Sequence, residues 1–306
     1  MRLPTLVERA LHQERVNFVL TNRVPRRILT RFMGWFSRIE QPIVRNLSIG
    51  LFGMFAGDLR LHEAKETQFA SLHDCFVREL RDGARPLDRD PDVLVSPCDG
   101  IVGAFGAIDG TTLLQAKGSE YSLEELLDDR LAAERFRGGL YVTLRLTANM
   151  YHRFHAPADC EVDGATYVSG DVWNVNPVTL RRVARLYCRN ERAIIHARLD
   201  GTDEAIALVA VGAILVGSIQ LSFLDRPLAL SYQGPDRIYC RRSFLKGDEV
   251  GYFHHGSTVI VIGTSGLELR EDLHAGEVIR MGEPLFEFGH AVRPTCSSDS
   301  QPSIDR

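Results

Sequence analysis

The sequence predicts an α+β fold in which N-terminal helices precede a β-rich, mostly antiparallel body. Two observations support this class. Before Pro86, apolar residues recur at helical spacing, whereas after it short Val, Ile and Leu runs alternate with Gly, Asp and Asn turns. With 306 residues and 44% hydrophobic content, the chain can build a large core, which excludes a disordered or fibrous protein.

The first helix predicted is amphipathic and covers residues 24–40. At about 100° per residue, its apolar side chains fall on one arc and its basic ones on the opposite arc. The apolar arc contains Ile28, Leu29, Phe32, Met33, Trp35, Phe36 and Ile39, and the polar arc contains Arg26, Arg27, Thr30, Arg31, Ser37 and Arg38. Such helices bind anionic membrane interfaces, but many also pack on their own protein core, and the pattern alone leaves both open.

Charge is distributed unevenly. Residues 1–50 carry nine Arg, no Lys and three Glu, which gives a charge of +6. Because the net charge of the chain is −4, the other 256 residues carry −10. This asymmetry indicates localisation or a partner, while the negative body makes a nucleic-acid partner unexpected. The six cysteines form no C-x-x-C pair, which argues against a zinc ribbon and favours a reducing compartment.

Further elements follow from capping and periodicity. Residues 47–56 form a short apolar stretch, too short to span a bilayer, and Ser71 begins a helix that Gly83 ends. Ser122 and Glu125 fit a capping box for one helix inside the β-rich region. Residues 205–224 are 20 long and uncharged, but their Val, Ile and Gly content predicts two buried strands rather than a membrane span.

These patterns divide the chain into three parts. Residues 1–85 are predicted as a helical region, 86–292 as a β-rich domain and 293–306 as a disordered tail. Reactive groups concentrate in three short segments of the β-rich domain: S-P-C-D-G at 96–100, Y-H-R-F-H at 151–155 and H-G-S-T at 255–258. Each alone is compatible with an ordinary turn or a surface histidine pair.

Taken in this order, the three segments resemble those of the phosphatidylserine decarboxylases, a pyruvoyl-dependent, self-processing family. The resemblance covers about residues 30–288, and His255 is a departure, because the family most often has Leu there. Further family-like stretches are 117–118, 121–124, 167–171, 174–176, 189–192, 211–213, 216–219 and 246–251. The resemblance implies a carboxy-lyase of phospholipid biosynthesis that forms phosphatidylethanolamine through a Schiff base with its pyruvoyl group.

The resemblance also implies roles for individual residues. Ser257 attacks the carbonyl of Gly256, the chain is cut between them, and Ser257 becomes the pyruvoyl group of a 50-residue fragment. His155 is the implied base, with Asp99 as its orienting carboxylate, and His152 supplies the proton that replaces CO2. Neither an external cofactor nor a metal is expected.

The implied partners are the phosphatidylserine substrate, an anionic membrane surface and the two fragments of one precursor as a heterodimer, itself part of a homo-oligomer. With an anionic lipid as substrate, the resemblance implies that residues 1–85 associate with the membrane and that residues 86–292 are the pyruvoyl decarboxylase domain, cleaved between 256 and 257. The expected location is peripheral, on the cytoplasmic face of the cell membrane. Two alternatives remain: a pyruvoyl decarboxylase acting on a soluble amino acid, and a non-catalytic or zinc-binding β-domain that uses His152, His155 and Asp99.

Overall fold

The computed structural model describes residues 25–115, 119–214, 218–254 and 258–289. Seven short helices occur in these ranges: α1 (Arg26–Phe36), α2 (Pro42–Ala56), α3 (Leu72–Phe76), α4 (Leu123–Leu127), α5 (Arg130–Arg135), α6 (Pro177–Leu180) and α7 (Leu186–Arg189). The predicted cleavage site at His255, Gly256 and Ser257 and the predicted tail at 293–306 lie outside the described residues.

The strands form the rest of the regular structure. They are β1 (Val93–Val95), β2 (Gly100–Ala107), β3 (Thr112–Gln115), β4 (Ser119–Ser122), β5 (Leu140–Arg145), β6 (Arg153–His155), β7 (Cys160–Val168), β8 (Arg192–Leu199), β9 (Ala205–Val211), β10 (Ser218–Leu221), β11 (Leu228–Ala229), β12 (Arg237–Phe244), β13 (Glu249–Phe253), β14 (Thr258–Gly263), β15 (Leu267–Leu269), β16 (Val278–Ile279) and β17 (Pro284–Phe288).

An eight-stranded antiparallel sheet in the order β12-β7-β8-β9-β14-β5-β2-β16 forms the centre of the molecule. A four-stranded sheet, β11-β10-β13-β6, a three-stranded sheet, β1-β17-β15, and the β3-β4 hairpin complete it. Every residue of β9 and β14 is buried, which matches their continuous Val, Ile and Ala runs. The predicted α+β class, with N-terminal helices and a mostly antiparallel β-body, is confirmed.

Residues 205–224 are the clearest test of the sequence pattern. In the described part of this stretch the chain forms β9 in the central sheet and then β10 in the four-stranded sheet, as predicted. None of the described helices is long and apolar enough to cross a membrane.

Two helices differ from their predictions in detail. Ser71 caps α3 by accepting a hydrogen bond from the Asp74 N–H at 3.1 Å, but the helix ends at Phe76 because Leu80 then pairs with Ala64 in an extended bridge. Helix α4 begins after Ser122, as predicted. Its capping box does not form, since the Ser122 side chain makes no cap hydrogen bond.

Helix α1 lies on the β-body through its polar side. Arg26 donates two hydrogen bonds to the Asp171 carboxylate, at 3.2 and 2.6 Å, and its guanidinium lies 3.8 Å from the centre of the Trp173 ring. Arg27 donates to the Gly170 carbonyl at 2.9 Å. Arg26 and Arg27 of the polar arc therefore face the β-body, where the charge of Arg26 is paired with the Asp171 carboxylate.

The two longest helices, α1 and α2, expose apolar side chains on their outer sides. In α1 the buried residue is Thr30, whereas Ile28 and Trp35 are 69% and 64% exposed. The exposed apolar residues of α1 and α2 recur at three- and four-residue spacing: Ile28, Phe32 and Trp35 in α1, and Ile43, Leu47, Leu51, Met54 and Phe55 in α2. None of the seven side chains of the apolar arc is fully buried: three are exposed, and Leu29, Met33, Phe36 and Ile39 are half-buried.

Candidate active site

The candidate site lies at one edge of the central sheet. The register places Thr258 of β14 opposite Arg145 of β5, and Arg145 in turn opposite Ile101 of β2. Strands β2 and β14 are both antiparallel to β5, so both begin at this edge. Asp99, which precedes β2, and Thr258, the first residue of β14, therefore lie on the same side of the sheet.

Asp99 is buried and fully engaged by hydrogen bonds. Its carboxylate accepts from the Arg85 guanidinium at 2.8 and 2.6 Å and from the Met281 N–H at 3.0 Å. Arg85 also pairs with Glu63 at 2.9 Å. Burial lowers the pKa of Arg85, but the bonds and charges of Asp99 and Glu63 outweigh this and raise it overall. Arg85 is thus a permanently charged anchor for Asp99.

His155 is held beside the Asp99 segment by its backbone and side chain. Its N–H donates to the Pro97 carbonyl at 2.8 Å. Its Nδ1 lies 2.8 Å from the Gly247 carbonyl, which can only accept, so Nδ1 carries the proton and Nε2 accepts from the Tyr151 hydroxyl at 3.0 Å. Burial lowers the pKa of His155, which favours the neutral imidazole a general base requires.

The predicted hydrogen bond between Asp99 and His155 is not made. Both ring nitrogens of His155 and both oxygens of Asp99 have other partners among the described residues. Gly247 and Tyr151 therefore orient the ring, and Asp99 acts on it only through its charge, which opposes the lowering of the His155 pKa.

His152 is buried closer to the end of β13. Its carbonyl accepts from the Phe253 N–H at 3.0 Å, whereas His155 pairs with Glu249 at the start of that strand. Its Nδ1 lies 2.8 Å from the Met150 carbonyl, and its Nε2 has no hydrogen-bond partner in the described part of the chain. Burial and the charge of Arg78 lower the pKa of His152 to about 3, so this ring is neutral with an available lone pair.

A second imidazole pair lies at the same place. The rings of His73 and His254 are stacked with centroids 4.8 Å apart, and His254 is the last described residue before the H-G-S segment. Burial and the charge of Arg38 lower the pKa of His73 to about 4. This pair was not predicted, because nothing in the sequence relates residue 73 to residue 254.

Other residues of the site were missed for similar reasons. Arg78 and Arg85 lie before the β-rich region, and no pattern marks them as buried. Tyr151 belongs to the Y-H-R-F-H segment, yet its bond to His155 depends on the fold. Glu191 belongs to the family-like stretch at 189–192. That this carboxyl group is buried becomes visible only in the folded structure.

The donor set does not favour the zinc alternative. Asp99 is bound to Arg85, and the two nitrogens of His155 face a carbonyl and a hydroxyl. Within the described ranges, no three His, Cys, Asp or Glu side chains are placed to share a metal ion.

Comparison with known proteins identifies the relatives of the chain. A family model described as phosphatidylserine decarboxylase matches residues 72–287. Curated proteins named phosphatidylserine decarboxylase proenzyme align over most of both chains. That of Saccharophagus degradans is 36% identical over 281 residues, covering 89% of this chain and 97% of its own. That of Aliivibrio fischeri is 36% identical over 284 residues (88% and 96%), and that of Brevibacillus brevis 33% over 276 residues (87% and 95%).

Proposed function

The chain belongs to the phosphatidylserine decarboxylase family, and we propose that it is a self-processing carboxy-lyase that converts phosphatidylserine to phosphatidylethanolamine. The observation that carries this function is the family match over residues 72–287, which includes the whole β-body and all three reactive segments. The outward apolar faces of α1 and α2 favour a lipid substrate over a soluble amino acid.

We propose that self-processing begins at Ser257. Its hydroxyl attacks the Gly256 carbonyl, the peptide nitrogen is displaced, and the resulting ester is opened by elimination. Hydrolysis then releases ammonia and leaves a pyruvoyl group at position 257. The neutral imidazole of His155 takes the hydroxyl proton, which requires Tyr151 to release Nε2.

The surroundings of His152 fit such a group, since its Nε2 atom is buried and has no hydrogen-bond partner among the described residues. A pyruvoyl group supplies an electrophilic carbonyl that takes up the substrate amine and accepts the electron pair left by CO2. We assign His152 proton transfer at Nε2: its lone pair takes the proton that the substrate ammonium loses on binding, and the same atom returns that proton in place of CO2. Because His152 lies nearer the end of β13 than His155 does, the opposite assignment, with His152 as the base for cleavage and His155 as the proton donor, is the alternative.

The fold supports a stable heterodimer of fragments after cleavage. Strand β14, at the start of the small fragment, lies between β9 and β5, and all its residues are buried. The small fragment cannot leave without opening the central sheet, so the 256- and 50-residue chains stay together. A homo-oligomer of this heterodimer is proposed from the family resemblance.

We also propose peripheral binding to the cytoplasmic face of an anionic membrane. The two exposed apolar stripes supply insertion, and the exposed Arg31 and Arg38 supply attraction to anionic headgroups. Arg26 instead fixes α1 to the β-body through Asp171, which holds the helix in place against the protein.

Intact mass and lipid analysis on one preparation test the function. The wild-type chain should give two fragments and form phosphatidylethanolamine from phosphatidylserine vesicles, but no ethanolamine from free serine. Ser257→Ala should remain one chain without activity, while Ser243→Ala, at an exposed position on β12, should behave as wild type. A wild-type chain that stays at 34.3 kDa and forms no product would contradict the proposal.

A further inference from the structure

A small polar cavity lies beside Asp99, between the β-body and the segment that follows α2. Its volume is about 160 Å³, and its charged lining consists of Arg60, Glu63, Arg78, Arg85, Asp99 and Arg280. Four guanidinium groups against two carboxylates leave a charge of +2. Both carboxylates are bound to Arg85, so the excess belongs to the other three arginines.

Arg78 is a buried cation bonded to backbone carbonyls. It is 5% exposed, and its Nη atoms donate to the carbonyls of Cys75 and Leu59 at 3.2 and 2.8 Å and also to those of Asn149 and Met150. Among the residues that the structure describes, no carboxylate contacts it and its Nε has no partner. A buried charge in this state is costly unless an anion completes its surroundings.

Arg60 and Arg280 complete the cationic wall. Both are half-buried, and neither guanidinium forms a hydrogen bond or an ion pair with another described residue. Arginine binds phosphate through paired, charge-assisted N–H···O bonds, and a single phosphate group fits a cavity of this size.

The cavity is next to the reacting histidine. Tyr151 lines it and directly precedes His152, and the Met150 carbonyl accepts from Arg78 at 3.5 Å and from His152 at 2.8 Å. Its rim also adjoins the outward-facing helix, since Arg60 lies four residues beyond the end of α2.

We propose that this cavity binds the phosphodiester of the substrate headgroup, an inference that rests on the proposed function. The phosphodiester is favoured over the carboxylate on chemical grounds. A cation on the carboxylate would stabilise the ground state and oppose loss of CO2, whereas the phosphate charge does not change during the reaction. Arg60, Arg78 and Arg280 thus hold the group that does not react and leave the carboxylate unpaired.

Steady-state kinetics in neutral-detergent micelles test this. Arg60→Gln and Arg280→Gln should each raise KM for phosphatidylserine about tenfold, and together about a hundredfold, with kcat changed less than twofold. Intact mass should show normal self-cleavage in all three. Arg130→Gln removes an exposed charge on α5 and should leave KM unchanged.

A second measurement separates the lipid phosphate from free phosphate. Inorganic phosphate should inhibit the wild type competitively, and the double variant should lose this inhibition. Unchanged KM in the double variant would overturn the proposal. If the double variant lost thermal stabilisation by inorganic phosphate while its KM stayed the same, the cavity would bind free phosphate alone, and the proposal would also be overturned. A wild type that neither cleaves nor decarboxylates would instead refute the proposed function.

Discussion

Glu191 is a buried carboxyl group whose surroundings favour its protonated form. The Tyr167 hydroxyl lies 2.8 Å from the Ala229 carbonyl and 3.0 Å from Glu191 Oε2. It has one hydrogen to share between these two acceptors, so it compensates an ionised Glu191 only in part. The other oxygen, Oε1, is buried without a partner among the described residues and covers Gly212.

The expected energetic effect follows from the pKa. Burial raises the pKa of Glu191 from 4.5 to about 7, although the Tyr167 bond and the charge of Arg27 oppose this. Between these values the folded chain keeps a proton that the unfolded chain has lost, so stability falls as pH rises. At about 1.4 kcal/mol per pKa unit, the fold loses about 3 kcal/mol by pH 8.

Glu191→Gln keeps the shape and removes this titration. In a Ser257→Ala background, which remains one polypeptide, the variant should gain about 2 to 3 kcal/mol relative to its parent between pH 5 and pH 8. Urea unfolding followed by circular dichroism at both pH values measures the difference. Glu124→Gln, at an exposed site on α4, is the control. An equal effect of Glu191→Gln at pH 5 and pH 8 would refute the protonated state.

Three further predictions follow from the geometry. His155→Ala should block self-cleavage, whereas His152→Ala should cleave yet form little phosphatidylethanolamine; gels and lipid analysis would reveal the opposite result if the roles are exchanged. Asp171→Asn should weaken the ion pair with Arg26 by about 1 kcal/mol and so speed proteolysis within α1 and α2, while binding to vesicles in flotation persists. Unchanged proteolysis would count against this contact. Gly251→Ala should cost more than about 2 kcal/mol in urea unfolding, because its Cβ would press on the Gln220 carbonyl between two strands; a neutral effect would mean that the strands separate easily.

The class of the fold was predictable because it depends on local pattern. The 205–224 stretch reads as strands because Val and Ile favour extended backbone, and its length alone would have suggested a membrane helix. The start of α3 was predictable because Ser71 acts on its own neighbours. Sheet order was not, since the partners of β14 lie about 50 and 115 residues away along the chain.

The site divides in the same way. Short motifs identify Asp99, His152 and His155, but not the partners that define their chemical state. The ring of His155 is bonded to Gly247, which lies 92 residues away, and Asp99 is bonded to Arg85 and Met281. Periodicity predicts two faces for α1 without saying which one meets the protein, because that depends on where Asp171 lies.

The charges around the site are arranged for loss of CO2. Burial keeps His152 and His155 neutral, and Arg85 is neutralised by Asp99 and Glu63, so the cationic field comes mainly from the arginines of the neighbouring cavity. A carboxylate surrounded by neutral imidazoles is poorly solvated, whereas the neutral CO2 it becomes loses nothing there. If the phosphate of the same substrate occupies the cavity, its binding offsets the cost of bringing the carboxylate into these surroundings. Separation of the two anions by the fold then adds to the electron-accepting role that we propose for the pyruvoyl group.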